Sequence, residues 1–350
     1  MMESPPKNVF LLGAGYIGSS LLDRLLEEEY KVTALVRREA AAKELEARGV
    51  KTVFGQLDDI DTITKQTEAN DIVFHTATAD HLPSVEAIIK GIEARAAANK
   101  ETIYIHTSGT SLLSDHVGGA HKSDTIFSDT RPEQIDALPD SASHRLIDLA
   151  IVNARKRLGN KAKMFIMLPP LIYGANSDHG RLSIQVPTMA RFAIKHKYAG
   201  HVGKGKSVWS LVHVTDLSYG YMVLLHWLQR IEANDFSLEP PYFFCESGEE
   251  ISWGELAGMV GKGLKKAGVI DDASPREIPE KDYEDLFGKY SAVVIGANSR
   301  SRAERLRELG WRPNQRPVRE AFEMEELPLL LKEDLSDYHG YAAPAASGSG

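Results

Sequence analysis

Residues 8 to 27 read NVFLLGAGYIGSSLLDRLLE, an unalternated apolar run that stops at a glycine and continues at helical spacing. An apolar run without alternation suits a strand covered on both faces, and the segment behind it suits a helix that must start almost at once. Gly13, Gly15 and Gly18 make that junction feasible. The first permits a tight turn, the second lets backbone approach a diphosphate, and the third lets helix and strand pack closely. With Tyr16 and Ile17 in the same turn, the free N–H groups and positive end of the helix are expected to receive a dinucleotide.

The rhythm repeats downstream. KVTALVR, KTVFG, DIVFHTA and ETIYIHTSG are strand-like, and helix-period segments separate them. This is the pattern of an α/β fold with a doubly wound parallel sheet. The spacing assigns residues 5–174 to a nucleotide-binding domain and 175–335 mostly to a smaller, substrate-binding region. Helices are expected near 187–197, 252–267 and 299–309. Strands near 207–214 and 241–246 are candidates to return to the main sheet. Residues 340–350, rich in Ala, Gly and Ser, read as a flexible tail. Between Gly109 and the helix that LPDSASHRLID opens, the rhythm lapses for nearly thirty residues, a length expected of a loop over a ligand.

Bulk properties narrow the partners. A net charge of −8 offers no basic footprint for nucleic acid, and no apolar run approaches the length of a membrane span. The single cysteine, Cys245 in PYFFCESG, reads as a buried strand residue and agrees with a reducing, cytoplasmic setting. Asp115, His116, His121 and Asp124 crowd the long loop without the spacing of a rigid metal site, so no metal is expected. A small-molecule substrate remains.

At the end of the second strand, ALVRRE places Arg37 and Arg38 where selection of NAD would put an acidic residue on the ribose. Two guanidiniums can grip a 2′-phosphate, so NADP(H) is expected over NAD(H), with Glu39 as the residue that would favour the alternative. Leu57 and Asp58, after the third strand, are expected near the adenine. Thr76 and Ala77, closing the fourth, are small enough to let backbone approach the cofactor.

With these residues in view, the chain resembles the short-chain dehydrogenase/reductase superfamily, in the extended or atypical branch related to NAD-dependent epimerases and dehydratases. Gly13 to Gly18 is similar to that branch's nucleotide loop, and Thr107-Ser108-Gly109 to its Ser/Thr-rich catalytic segment. Pro169-Pro170-Leu171-Ile172-Tyr173-Gly174 is similar to its signature beside the nicotinamide, and VHVTDL at 212–217 and RAERLRELGWRP to later segments. The resemblance implies a Rossmann-type sheet, a nicotinamide cofactor with Pro169 beside it, and a homodimer as one possible assembly. It also implies a Tyr four residues before a Lys on the helix after LPDSASHRLID, where both would share one face. Neither is present, and no tyrosine in the chain stands four residues before a lysine. Matching Asp148 to the family's acidic residue puts His144 in the Lys position and Asp140 in that of Tyr; sliding by one puts Arg145 and Ser141 there. His144 or Arg145 is then left to polarise the site, with a hydroxyl from Ser108, Thr110 or Tyr173. The same stretch also reads as a helix start capped by Ser141 or Ser143. His213 and Asp216 read as architectural.

The expected function is an NADP(H)-dependent oxidoreductase of a small carbonyl or alcohol. Two alternatives stand beside it: a non-catalytic NADP(H)-binding sensor or scaffold, NmrA-like in kind, and an epimerase or dehydratase of nucleotide sugars.

Overall fold

The structure is a computed structural model describing residues 7–176, 179–232, 235 and 239–341. Strand and helix alternate from the start as β1 (Asn8–Leu12), α1 (Tyr16–Glu27), β2 (Lys31–Val36), α2 (Glu39–Glu46) and β3 (Lys51–Phe54). α3 (Ile60–Ala69), β4 (Ile72–His75), α4 (Leu82–Ala97) and β5 (Ile103–Thr107) complete the series. After the long loop come β6 (Phe127–Ser128), α5 (Pro132–Asp136), α6 (Arg145–Leu158), β7 (Lys163–Leu168) and β8 (Leu171–Tyr173). The rest contains α7 (Gln185–His196), β9 (Gly200–His201), β10 (Val208–His213), α8 (Val214–Arg230), β11 (Tyr242–Phe244) and β12 (Glu250–Ser252). Then follow α9 (Trp253–Lys266), β13 (Arg276–Glu277), α10 (Ser291–Val294), β14 (Ser301–Arg302) and α11 (Glu304–Glu308).

The main sheet has seven strands in the order β11-β7-β5-β4-β1-β2-β3, and every pairing is parallel. Winding reverses between β1 and β4, which opens a crevice at the carboxyl ends of those two strands. β4, β5 and β7 are buried along their whole length because α1 packs on α8 and α4 lies between α3 and α6. Continuous burial on both faces is why these strands show no alternation.

A second core surrounds Phe192, Trp209, Leu211, Trp253 and Phe322. Its sheet is β12-β10-β8, with β10 parallel to β8 and antiparallel to β12. Of the two strands expected as candidates for the main sheet, 241–246 does return, as β11 beside β7. The strand near 207–214 does not, because β10 is paired on both sides within the smaller sheet. The helix expected over 299–309 is also corrected: Ser301 and Arg302 form β14, which pairs with β6 of the long loop, and only Glu304–Glu308 is helical. Of the expected tail, Tyr341 donates its N–H to the Leu286 carbonyl and packs on Phe287, and 342–350 lie outside the described residues.

The long loop is pinned rather than loose at Asn298. The Asp115 carboxylate accepts both the backbone and side-chain N–H of Asn298 at 2.9 Å, while Asn298 Oδ1 accepts from Ser123 N and Val208 N. Asp129 is buried among three backbone donors, Phe244, Glu304 and Arg305, and burial still pushes its carboxyl up to about 6.

Phe165 of β7 is fully buried against the rings of Trp227 and Phe243, with centroids 5.9 and 5.8 Å away. Phe165→Ala is expected to cost about 3–5 kcal/mol, read as a lower urea midpoint with an unchanged slope.

Candidate functional site

Three glycines at the β1–α1 junction have different reasons to be glycine. Gly13 has φ of 101°, and a Cβ on it would fall 2.4 Å from Ala77 N. On Gly18 a Cβ would lie 1.8 Å from the Gly13 carbonyl oxygen and 2.7 Å from Thr76 Oγ1. Both are therefore held by the protein's own packing. At Gly15 a Cβ would meet nothing within 4 Å. The space in front of Gly15 is open, as an approach of backbone to a bound anion requires. Gly15 is the N-cap of α1, whose first turn carries no acid and no side-chain cap, so its N–H donors face the crevice unopposed.

Thr76 and Ala77 act on this turn from the end of β4. Thr76 Oγ1 donates to the Gly13 carbonyl at 2.6 Å, and the Ala77 backbone presses on Gly13. Tyr16 donates its hydroxyl to the Gly174 carbonyl at 2.6 Å, tying α1 to the segment after β8, and Ile17 packs on the main core. The sequence did not single out Arg181, whose guanidinium donates to the Ala14 carbonyl at 2.9 Å. On the other side of the turn, Arg37 and Arg38 are exposed at the end of β2. Glu39 is engaged by Lys43 at 2.9 Å. Asp58 faces His81 at 3.0 Å, beside half-buried Leu57.

The remaining candidates divide into a group brought together and a group that is not. His144 Nδ1 lies 2.6 Å from Asp80 Oδ1, and its Nε2 lies 2.5 Å from Ser111 Oγ. Ser111 stands in the turn just after β5 and Asp80 in the loop after β4, so the row lies at the carboxyl edge beside the glycine turn. Ser108 is close by but faces α6, donating to Asp148 Oδ2 at 3.0 Å. Thr110 is 1% exposed, and its N–H goes to the Pro169 carbonyl at 3.0 Å. Tyr173 and Arg145 point elsewhere. The Tyr173 hydroxyl donates to the Arg316 carbonyl at 2.9 Å, and burial raises its pKa strongly. The Arg145 guanidinium reaches the Tyr242 hydroxyl and the Asp136 carbonyl. Neither serine caps α6: the N-cap is His144 itself, in the left-handed region at φ 64°, with no side-chain cap bond. Asp140 and Ser141 are exposed.

His213 and Asp216 are braces. His213 Nδ1 caps α8 through Thr215 N and its Nε2 meets Glu325 at 2.8 Å, while Asp216 accepts from Asn314 N and Gln315 N. Beneath the row, His75 and His106 stack with Nδ1 atoms 3.0 Å apart. Burial pushes His75 down to about 3 and His106 well below its usual value, so both are neutral and one ring donates to the other. Asp148 is fully buried, and the loss of solvation pushes its carboxyl up to about 7.

Two outcomes follow from this geometry. Gly15→Ala is expected to stay within about 1 kcal/mol of the wild-type stability while losing dinucleotide affinity, whereas Gly18→Ala should lose about 1–3 kcal/mol or more by overpacking; melting curves and calorimetric titration separate them. Asp148 keeps its proton in the fold up to about pH 7 but loses it near pH 4 when unfolded, so its contribution to stability falls across that interval and is flat above it. Asp148→Asn should therefore melt above wild type at pH 8, with the gap narrowing toward pH 4.

Known proteins resemble this chain in sequence and fold. Residues 9–237 match the NAD dependent epimerase/dehydratase family. The chain is 31% identical over 353 residues to the oxidase ucsJ of Acremonium sp, covering 94% of this chain and 97% of that one. It is 23% identical over 229 residues to a decarboxylating sterol-4-alpha-carboxylate 3-dehydrogenase of Dictyostelium discoideum, covering 61% of this chain and 66% of that protein. UDP-glucose 4-epimerase of Thermus thermophilus, in complex with NAD, has the same fold, with a TM-score of 0.61 at 16% identity over 93% of this chain and 99% of that one. With a match over more than half its length, the chain belongs to the NAD dependent epimerase/dehydratase family.

Proposed function

We propose that this chain is an NADP(H)-dependent oxidoreductase that moves a hydride between the nicotinamide and a small carbonyl or alcohol. The observation that carries the reading is the contrast among the three glycines: two are closed by protein atoms, and Gly15 alone opens toward the α1 N-terminus. A diphosphate seated there has the end of β2 on one side and the ends of β4 and β5 on the other. The adenosine half then lies toward Arg37 and Arg38, and the nicotinamide toward Ser111, His144 and Asp80. Arg38 has no carboxylate partner among the described residues, and Glu39 is occupied by Lys43, which supports a 2′-phosphate over a free ribose hydroxyl. The oxidase and dehydrogenase names of the relatives favour redox chemistry. Tyr16 and Arg181 tie the glycine turn to the segment after β8, which supports a substrate held on that side.

Titration with NADPH and NADH, read by fluorescence or calorimetry, tests the cofactor. The Arg37→Ala/Arg38→Ala variant is expected to lose about 10-fold or more in NADPH affinity, as removal of charge-assisted phosphate contacts implies, with NADH affinity nearly unchanged. Equal losses for both, or no saturable binding of either, would defeat the reading.

A further inference from the structure

Three histidines among the described residues stand at helix N-termini, and they are not used alike. His81 and His213 turn Nδ1 back on their own helices and accept from Ser84 N and Thr215 N. His144 makes no such bond, although it is the N-cap of α6. Its ring is instead held between Asp80 and Ser111, and the residue is kept in the left-handed region, a conformation costly for a non-glycine residue. A histidine that served only to start the helix would need neither feature.

We propose that Ser111, His144 and Asp80 form the proton relay of the site, with Ser111 as the catalytic hydroxyl and His144 and Asp80 as the residues that position and recharge it. The Asp80 carboxylate can only accept, so His144 Nδ1 carries a hydrogen and Nε2 is left to exchange a proton with Ser111. The row is buried at its middle and reaches solvent at both ends, with the Asp80 side chain 26% exposed. His144 has a side chain only 7% exposed, while Ser111 is partly exposed. Gly109 keeps the Ser111 end uncovered, since a Cβ there would come to 3.4 Å from His144 Nε2 and 3.8 Å from Ser111 Oγ. With no Tyr four residues before a Lys, the hydroxyls with an ionisable partner at the carboxyl edge of β4 and β5 include Ser108 with Asp148, which is buried, and Ser111 with His144, where Ser111 is partly exposed.

The inference rests on the oxidoreductase reading, and the step balances as follows. In reduction, the substrate's carbonyl carbon gains a hydride, supplied by reduced nicotinamide, and its π pair moves to oxygen. That oxygen takes the Ser111 proton, Ser111 takes the proton from the imidazolium at His144 Nε2, and solvent restores the imidazolium. Asp80 keeps its hydrogen bond to His144 Nδ1 throughout. Oxidation of an alcohol runs the same transfers in reverse.

Two measurements on the full chain test the relay. The first needs neither cofactor nor substrate: diisopropyl fluorophosphate forms a P–O bond to Ser111 Oγ as P–F breaks, and the serine proton passes to His144. Mass spectrometry should find the label on Ser111, with the rate reduced about 100-fold or more by His144→Ala and by Asp80→Asn, the scale of lost proton transfer. The second is NADPH oxidation with a panel of small aldehydes and ketones. Ser111→Ala and Asp80→Asn should each lower kcat by about 100-fold or more, with KM and NADPH affinity held, and Ser111→Thr should recover part of the loss. An unlabelled Ser111, a labelling rate indifferent to His144, or a Ser111→Ala variant that turns over like wild type would overturn the relay. Labelling that depends on His144 and Asp80 in a chain that oxidises nothing in the panel would support the relay and count against the oxidoreductase reading alone.

Discussion

The structure depends on how closely the backbone at the end of β4 approaches the turn after β1. Gly13 lies against Ala77, Gly18 lies against the Gly13 carbonyl, and Thr76 closes the gap with a hydrogen bond to that same oxygen. No side chain larger than hydrogen fits at two of these positions. The approach aims the N-terminus of α1 across the carboxyl ends of β1 and β4, so one packing constraint also sets the place proposed for the diphosphate. Gly15 belongs to the same turn yet is not required by packing, which separates the part of the motif that builds the fold from the part that leaves open space.

The second region is joined to this frame by buried polar pins rather than by a continuous sheet. Asn298 satisfies Asp115, His121, Ser123 and Val208 together, and Asp129 gathers three backbone N–H groups from β11 and the start of α11. Such groups are costly to bury unless every bond is made, so they specify one position for the long loop. Ordering that loop brings the turn after β5, with Ser111, to rest against the start of α6.

Charge around the crevice is graded with depth. His75 and His106, beneath the row, are kept neutral by burial, and Asp148 holds its proton to about pH 7. Asp80, His144 and Ser111 lie nearer the opening, joined by contacts of 2.6 and 2.5 Å. The imidazole of His144 is held by Asp80 and Ser111, and Asp148 is bonded to Ser108 instead.

Local pattern determined much of this protein. The strand series, the parallel sheet, the glycine turn, and the arginines at the end of β2 are written in contiguous residues, because strand burial and turn chemistry act over a few positions. The signal for Asp80 was present in HTATAD, since the loop after a strand next to β1 must border the crevice, and Ser111 adjoined the expected Thr110. Which hydroxyl met His144, and that Arg145 and Tyr173 turned away, was decided only by tertiary structure. Asp80, Ser111 and His144 come from three separate loops, and their meeting follows from parallel strand order and from the left-handed turn at His144, neither of which has a local periodicity to read. The same reason placed β10 in the smaller sheet: its apolar run suits either sheet, and only the positions of β8 and β12 choose between them.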